Sequence, residues 1–182
     1  METENLLTKI AKELKNLEIP YLVTGGIAVA AWGRVRATLD IDIVIEIEKN
    51  KISPLMGALR KISPAGYADE EMAKDALREE MEFNFIDPET GLKVDFWIRK
   101  NNEFSQNEFT RRVPRKVNGR EIYFISPEDL VLRKLQWHKM GKISKHLEDV
   151  ESILKISKVN LNYIKNWAEK QSTIKILEEI LG

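Results

Sequence analysis

The 182-residue chain contains no cysteine and only two histidines, His138 and His146. The first absence excludes disulfides, thiol catalysis and thiolate metal sites. The histidines fall in amphipathic helical patterns, where such residues are more often packed or solvated than catalytic. Net charge is absent too: 29 Lys and Arg balance 29 Asp and Glu. No global basic field therefore draws the chain to nucleic acid. Long apolar runs are also missing, so no segment is expected to cross a membrane, and no signal-peptide h-region is read near the start. These absences lead to the expectation of a cytoplasmic, membrane-free globular protein, in keeping with 43% hydrophobic and 32% charged residues.

What is present concentrates between residues 19 and 47. Tyr21-Leu22-Val23 reads as a short buried strand, stopped by two glycines. Gly25 and Gly26 lack a Cβ, so the backbone there can approach a ligand closely. Residues 27–32 read as a short helix whose free N-terminal amides suit phosphate. The next strand, Asp40-Ile41-Asp42-Ile43-Val44-Ile45, is rich in β-branched residues. Its alternation puts Asp40 and Asp42 on one face, roughly 6.6–6.8 Å apart, and Ile41 and Ile43 on the other. Two neighbouring carboxylates need a compensating positive charge. A hard cation such as Mg2+, held by one or two carboxylates and substrate phosphates, supplies it.

The glycine pair followed by Asp-x-Asp, in this order and spacing, resembles the nucleotidyltransferase-fold superfamily, the DNA polymerase β-like group. That pattern ends with a third acid on a later strand, and Asp95 matches it. Residues 81–87 and 92–98 alternate as a hairpin, with Leu92, Val94, Phe96 and Ile98 on one side and Lys93, Asp95 and Trp97 on the other. Arg36-x-Thr38-x-Asp40-Ile41-Asp42 is similar to a run of small prokaryotic AbiEii-like nucleotidyltransferases. The segment from Ser126 through Lys134 to Asp149 resembles their helical half.

The resemblance implies an α/β (α+β) fold: a small mixed sheet flanked by helices, with a nucleotidyltransferase core over 1–125 and a C-terminal helical region over 126–182. It implies transfer of a nucleoside monophosphate from a triphosphate to a hydroxyl or phosphate of an acceptor, with Mg2+ or Mn2+ as cofactor. Asp40 and Asp42 would hold two ions roughly 3.5–4 Å apart. Asp95 would hold the ion beside the acceptor. Gly25, Gly26, Arg36, Thr38, Lys134 and Asp149 would contact the nucleotide. The acceptor is left open among a small molecule, tRNA or other RNA, and a protein, and a cognate toxin or antitoxin partner is compatible with the group. The alternative is a non-catalytic nucleotide- or RNA-binding module, or an antitoxin-type binding protein. A dinucleotide-binding domain is excluded because the third glycine of its fingerprint is missing.

Other readings concern local structure. Residues 3–17, 51–62, 69–80, 126–140, 144–156, 160–171 and 173–181 carry helical patterns. Met72, Ala76 and Leu77 form the expected stripe of the third, and Leu147, Val150 and Leu154 that of the fifth. Asn118-Gly119 marks a tight hairpin turn, and Ser126-Pro127-Glu128-Asp129 a capped helix start. Gly141 is expected to end that helix, and residues 101–112 to connect. Lys134, among mainly apolar neighbours, is either a snorkelling side chain or a phosphate ligand. The basic run from Arg111 to Lys116 reads as solvated, with RNA binding the lesser alternative. Trp97 shares a face with Asp95, where it could stack on a base.

Overall fold

A computed structural model describes residues 2–35 and 37–182. Its elements run α1 (Glu2–Asn16), β1 (Tyr21–Thr24), α2 (Gly25–Trp32), β2 (Asp40–Ile45), a 3-10 turn (Lys49–Lys51), α3 (Ile52–Ile62), α4 (Glu70–Glu79), β3 (Glu82–Asp87), β4 (Leu92–Ile98), α5 (Glu103–Thr110), β5 (Val113–Val117) and β6 (Arg120–Phe124). Four helices follow: α6 (Pro127–Gly141), α7 (Ser144–Ile156), α8 (Leu161–Lys170) and α9 (Ile174–Leu181). The chain divides into two compact units, Met1–Ile27 with Ala37–Phe124, and Ala28–Arg36 with Ile125–Gly182. Among the described residues no helix is long and apolar enough to cross a membrane.

The first unit is built on a six-stranded mixed sheet in the order β3-β4-β2-β1-β6-β5. The central pair β2–β4 is parallel, β1 runs antiparallel to β2, and β6 joins β1 in parallel. One face is apolar and fully buried: Ile41, Ile43 and Ile45 of β2 beside Val94 and Phe96 of β4 and Phe83 and Phe85 of β3. The Phe83 and Phe96 rings stack at 5.1 Å. Helix α1 buries Leu6, Leu7, Ile10 and Leu14, a stripe at helical spacing. It packs against α3 and β6.

In the second unit α6 packs on α7 and α8. Ser126 caps α6, its Oγ accepting from the Asp129 amide at 3.1 Å and donating to Asp129 Oδ2 at 2.6 Å. Tyr163 donates to Asp129 Oδ1. Trp32 Nε1 donates to the Ile125 carbonyl, and Arg34 N to Ser152 Oγ, tying the segment after α2 to this unit.

Four local expectations need correction. The span 101–112 is no mere connection, because Asn102 caps the Ser105 amide and α5 buries Phe104, Ser105, Glu108 and Phe109. Gly141 does not end α6: it stays helical and Lys142 takes the left-handed turn at φ 54°. On α4 the buried positions are Ala73 and Ala76, while Met72 is 48% exposed. On α7 the buried stripe is Asp149, Val150 and Ile153, rotated from the apolar pattern because Asp149 has a buried partner.

The hairpin between β3 and β4 closes on Asp87, which accepts from Ser63 Oγ at 2.8 Å, Thr90 Oγ1 at 2.7 Å and the Glu89 amide at 3.3 Å. Burial pushes its carboxyl up, but these donors outweigh it and hold the group below its ordinary range. A lowered carboxyl stabilises the fold above its unfolded pKa, and that contribution is lost as pH falls through the folded value. Asp87→Asn should lower the melting temperature at pH 7. The deficit should shrink below pH 4; a deficit unchanged in acid contradicts the account.

Candidate active site

The face of the sheet opposite the apolar one carries the polar residues. Strand pairing aligns them: Thr24 stands opposite Asp42, Asp42 beside Asp95, and Asp95 opposite Asn84. A single row, Asn84-Asp95-Asp42-Thr24, therefore crosses four strands. Asp40 and Lys93 form the neighbouring pair on one side, Val44 and Trp97 on the other. The structure thus places Asp40, Asp42 and Asp95 on one face of two adjacent strands.

Gly25 adjoins this row at φ +64°, the left-handed region where the chain turns from β1 into α2. A Cβ on Gly25 would lie 1.8 Å from Asp42 Oδ2 and 2.5 Å from Asp42 Cγ. The space opened by this glycine is thus filled by the carboxylate itself, rather than left for a phosphate as the sequence suggests. Gly26 does the same more loosely for Thr38, whose Oγ1 would sit 3.0 Å from an added Cβ. Thr38 Oγ1 also bonds the Asp40 carbonyl and amide at 3.2 and 3.3 Å, steering the chain into β2. Arg36 lies outside the described residues.

The carboxylates are engaged. Lys93 Nζ lies 2.8 Å from Asp95 Oδ2 and 3.9 Å from Asp40 Oδ1. The hydrogen bond to Asp95 is the main cause holding the lysine above its ordinary range; burial opposes it, and Asp95, Asp40 and Glu82 reinforce it through charge. These contacts favour the charged form of Lys93. Trp97 Nε1 donates to Asp42 Oδ1 at 3.4 Å. Glu82, at the end of β3, is pushed up by burial and by the charges of Asp95 and Asp42, with Lys93 opposing. Lys93 and Glu82 are the site residues that sequence reasoning missed. The β4 alternation did put Lys93 on the Asp95 face, but only the β2–β4 pairing brings it to Asp40.

The site's fit to a divalent cation can be tested on these contacts. The donors are all oxygen, as Mg2+ requires. An ammonium drawn in between two carboxylates shows that the row attracts a cation. Thr24 Oγ1, beside Asp42, is buried and has no hydrogen-bond partner, which leaves an oxygen free for a ligand. Among the described residues, however, no three acidic or imidazole side chains converge tightly enough to hold an ion. Asp95 turns to Lys93 and Asp42 to Trp97 instead. The residues fit the ion in type and register, but not with these side-chain contacts in place.

Lys134 and Asp149 lie in the second unit and bind each other at 2.9 Å, their side chains 3% and 0% exposed. Lys134 Nζ also lies 5.1 Å from the Trp137 ring centroid. A snorkelling lysine would reach water, and this one does not.

With the geometry in hand, the chain can be set beside known proteins. A family described as "Nucleotidyltransferase of unknown function (DUF6036)" matches residues 2–180. The chain belongs to that family. It is a nucleotidyltransferase, as the glycine pair and the three aspartates led us to expect. No curated protein matches it. Among solved structures it is similar to the antibiotic-resistance factor ANT(2″)-Ia in solution, with TM-score 0.66 and 16% identity over 98% of this chain and 96% of that one. The crystal structure of ANT(2″)-Ia with adenylyl-2″-tobramycin gives 0.64 and 15% over 95% and 98%. The lincosamide antibiotic adenylyltransferase LnuA, lincomycin-bound, gives 0.57 and 16% over 84% and 97%. At such identities the shared property is the fold, a mixed sheet flanked by helices.

Two predictions follow from the packing at Gly25 and at Lys134. Gly25→Ala should destabilise far more than Gly26→Ala, because its Cβ meets a carboxylate at 1.8 Å and its φ is left-handed, whereas Gly26 faces a side chain at 3.0 Å. The backbone strain alone is worth about 1–2 kcal/mol. Equal melting temperatures for the two variants would contradict this packing. Lys134→Met strands the Asp149 charge in the interior and should cost about 3–5 kcal/mol. The double variant Lys134→Met/Asp149→Leu should recover most of it in denaturant titrations, and no recovery would show that the pair is not the cause.

Proposed function

We propose that this enzyme transfers a nucleoside monophosphate from a nucleoside triphosphate to a hydroxyl group of a small-molecule acceptor, with Mg2+ or Mn2+ as cofactor. The observation that carries the reading is the row Asp95-Asp42-Thr24, with Asp40 one pair away, at the Gly25-Gly26 turn. In such a reaction the acceptor oxygen attacks the α-phosphorus while its hydroxyl proton passes to Asp95. The bond from that phosphorus to the oxygen bridging to the β-phosphate breaks, and pyrophosphate leaves. Charge neutralisation and positioning do most of the work.

When bound, the divalent ion would neutralise charge on the triphosphate and on the reacting oxygens. Asp40 and Asp42 would hold it from one strand and Asp95 from the next. Asp95 would also orient the acceptor hydroxyl. The Gly26 amide and the Thr24 and Thr38 hydroxyls would bind phosphate oxygens, and Trp97 could stack on a base. The resemblance adds Arg36 to the proposed nucleotide ligands, whereas Lys134 and Asp149 are engaged with each other in the interior of the second unit.

A small-molecule acceptor is favoured because the structural neighbours include enzymes bound to an adenylylated aminoglycoside and to lincomycin. Three carboxylates on one face favour transfer over a non-catalytic module.

The test is incubation with each labelled triphosphate, Mg2+ and panels of hydroxylated small molecules, RNA and protein. Label should pass to a small molecule. Asp42→Asn, nearly isosteric, should lower transfer at least about a hundredfold while leaving the melting temperature close to that of the parent. Undiminished transfer by a folded Asp42→Asn protein would refute the assignment.

A further inference from the structure

The acidic row already holds a cation of its own. Lys93 Nζ is 2.8 Å from Asp95 Oδ2 and 3.9 Å from Asp40 Oδ1, bridging the two strands that carry the proposed metal ligands. The contact to Asp95 comes from alternation within β4, and that to Asp40 from register, because β2 and β4 run parallel with Asp40 beside Lys93. Asp95 is nearly closed off, its side chain 10% exposed, whereas that of Lys93 is 40% exposed. The carboxylate is thus shielded from water, whereas the lysine side chain is partly open to it. Four flexible carbons and an open side give the lysine room to swing away.

We propose that Lys93 is a resident counter-cation of the active site, occupying in the metal-free enzyme the place that a divalent ion takes, so that metal uptake requires the ammonium to leave. The inference rests on the transfer reading above and adds to it a positioning residue that couples metal to nucleotide. Mg2+ binds carboxylate oxygen at about 2.0–2.1 Å. An ammonium hydrogen-bonded to Asp95 stands within the volume needed for such a contact and repels the incoming ion. It leaves readily only when another anion receives it. The triphosphate is that anion, and it brings several charges at once. Metal and nucleotide therefore enter together, and the empty enzyme keeps its carboxylates neutralised without binding divalent ions idly. The tethered cation also accounts for the present arrangement of the site, in which Asp95 turns to Lys93 instead of converging with Asp40 and Asp42.

The test reads metal binding rather than turnover. Free Mn2+ is followed by electron paramagnetic resonance during titration of the parent, Lys93→Met and Lys93→Arg proteins, each with and without a non-hydrolysable triphosphate analogue. The parent should bind Mn2+ weakly alone and at least tenfold more tightly with the analogue. Lys93→Met should bind it at least tenfold more tightly than the parent without any nucleotide, and Lys93→Arg, which keeps the charge, should stay close to the parent. Parent and Lys93→Met curves that coincide without nucleotide, while the parent still takes up Mn2+ with the analogue, overturn the counter-cation and leave the transfer reading standing. Failure of every protein to take up Mn2+ with the analogue overturns both.

A second measurement needs no substitution. In 15N-labelled parent protein the Lys93 ammonium should show its hydrogen-bond contact to the Asp95 carboxylate, and saturating Mg2+ with the analogue should replace that contact with one to phosphate. A contact to Asp95 that persists under saturation overturns the proposal.

Discussion

The carboxylate of Asp42 lies where the side chain of residue 25 would be if that residue had one. This exclusion of volume fixes much of what surrounds the site. β1 must end in a left-handed turn, so that residue is glycine. β2 must lie antiparallel to β1 with Asp42 opposite Thr24, so its carboxylate enters the space at the turn. Once β2 is placed, parallel pairing of β4 carries Asp95 alongside. Any side chain at position 25 would force the row apart before it met a substrate.

Charge on this row follows the same economy of space. Two ion pairs in the protein show opposite designs. Lys134 and Asp149 are both shut away from water, a pairing that becomes costly when either partner is removed and so acts as a fixed rivet of the second unit. Lys93 and Asp95 combine a closed carboxylate with an open ammonium. Exposed pairs are weak because water and salt compete with them, and a half-exposed one can exchange its partner. The chain is neutral overall, yet the face with the aspartates is locally acidic and locally neutralised.

Similarity to ANT(2″)-Ia and LnuA at 15–16% identity shows how little of a sequence this scaffold needs. What is shared is the sheet and its flanking helices; the chemistry of an acceptor is decided by side chains grafted on that frame. In this chain Trp97, Glu82 and Ile86 stand on the same face as the carboxylates or at its edge.

Much of the fold was legible in the chain because its signals are local. The β-branched run at Asp40–Ile45, the alternation at Leu92–Ile98, Asn118-Gly119 and Ser126-Pro127 each depend on neighbours a few residues away, and the corresponding elements stand in the structure. Helix α5 was not legible, because its cap at Asn102 and its buried Glu108 run against the usual reading of polar residues as loop. The stripe of α7 was misread for a related reason: Asp149 is buried only because Lys134, on another helix, neutralises it. By itself the sequence determined which faces Asp40, Asp42, Asp95 and Lys93 occupy, since alternation is a property of each strand. Only the tertiary structure decided that Lys93 reaches Asp40 as well as Asp95 and that Asp42 fills the space at Gly25, because those contacts depend on how β2 pairs with β4 and β1.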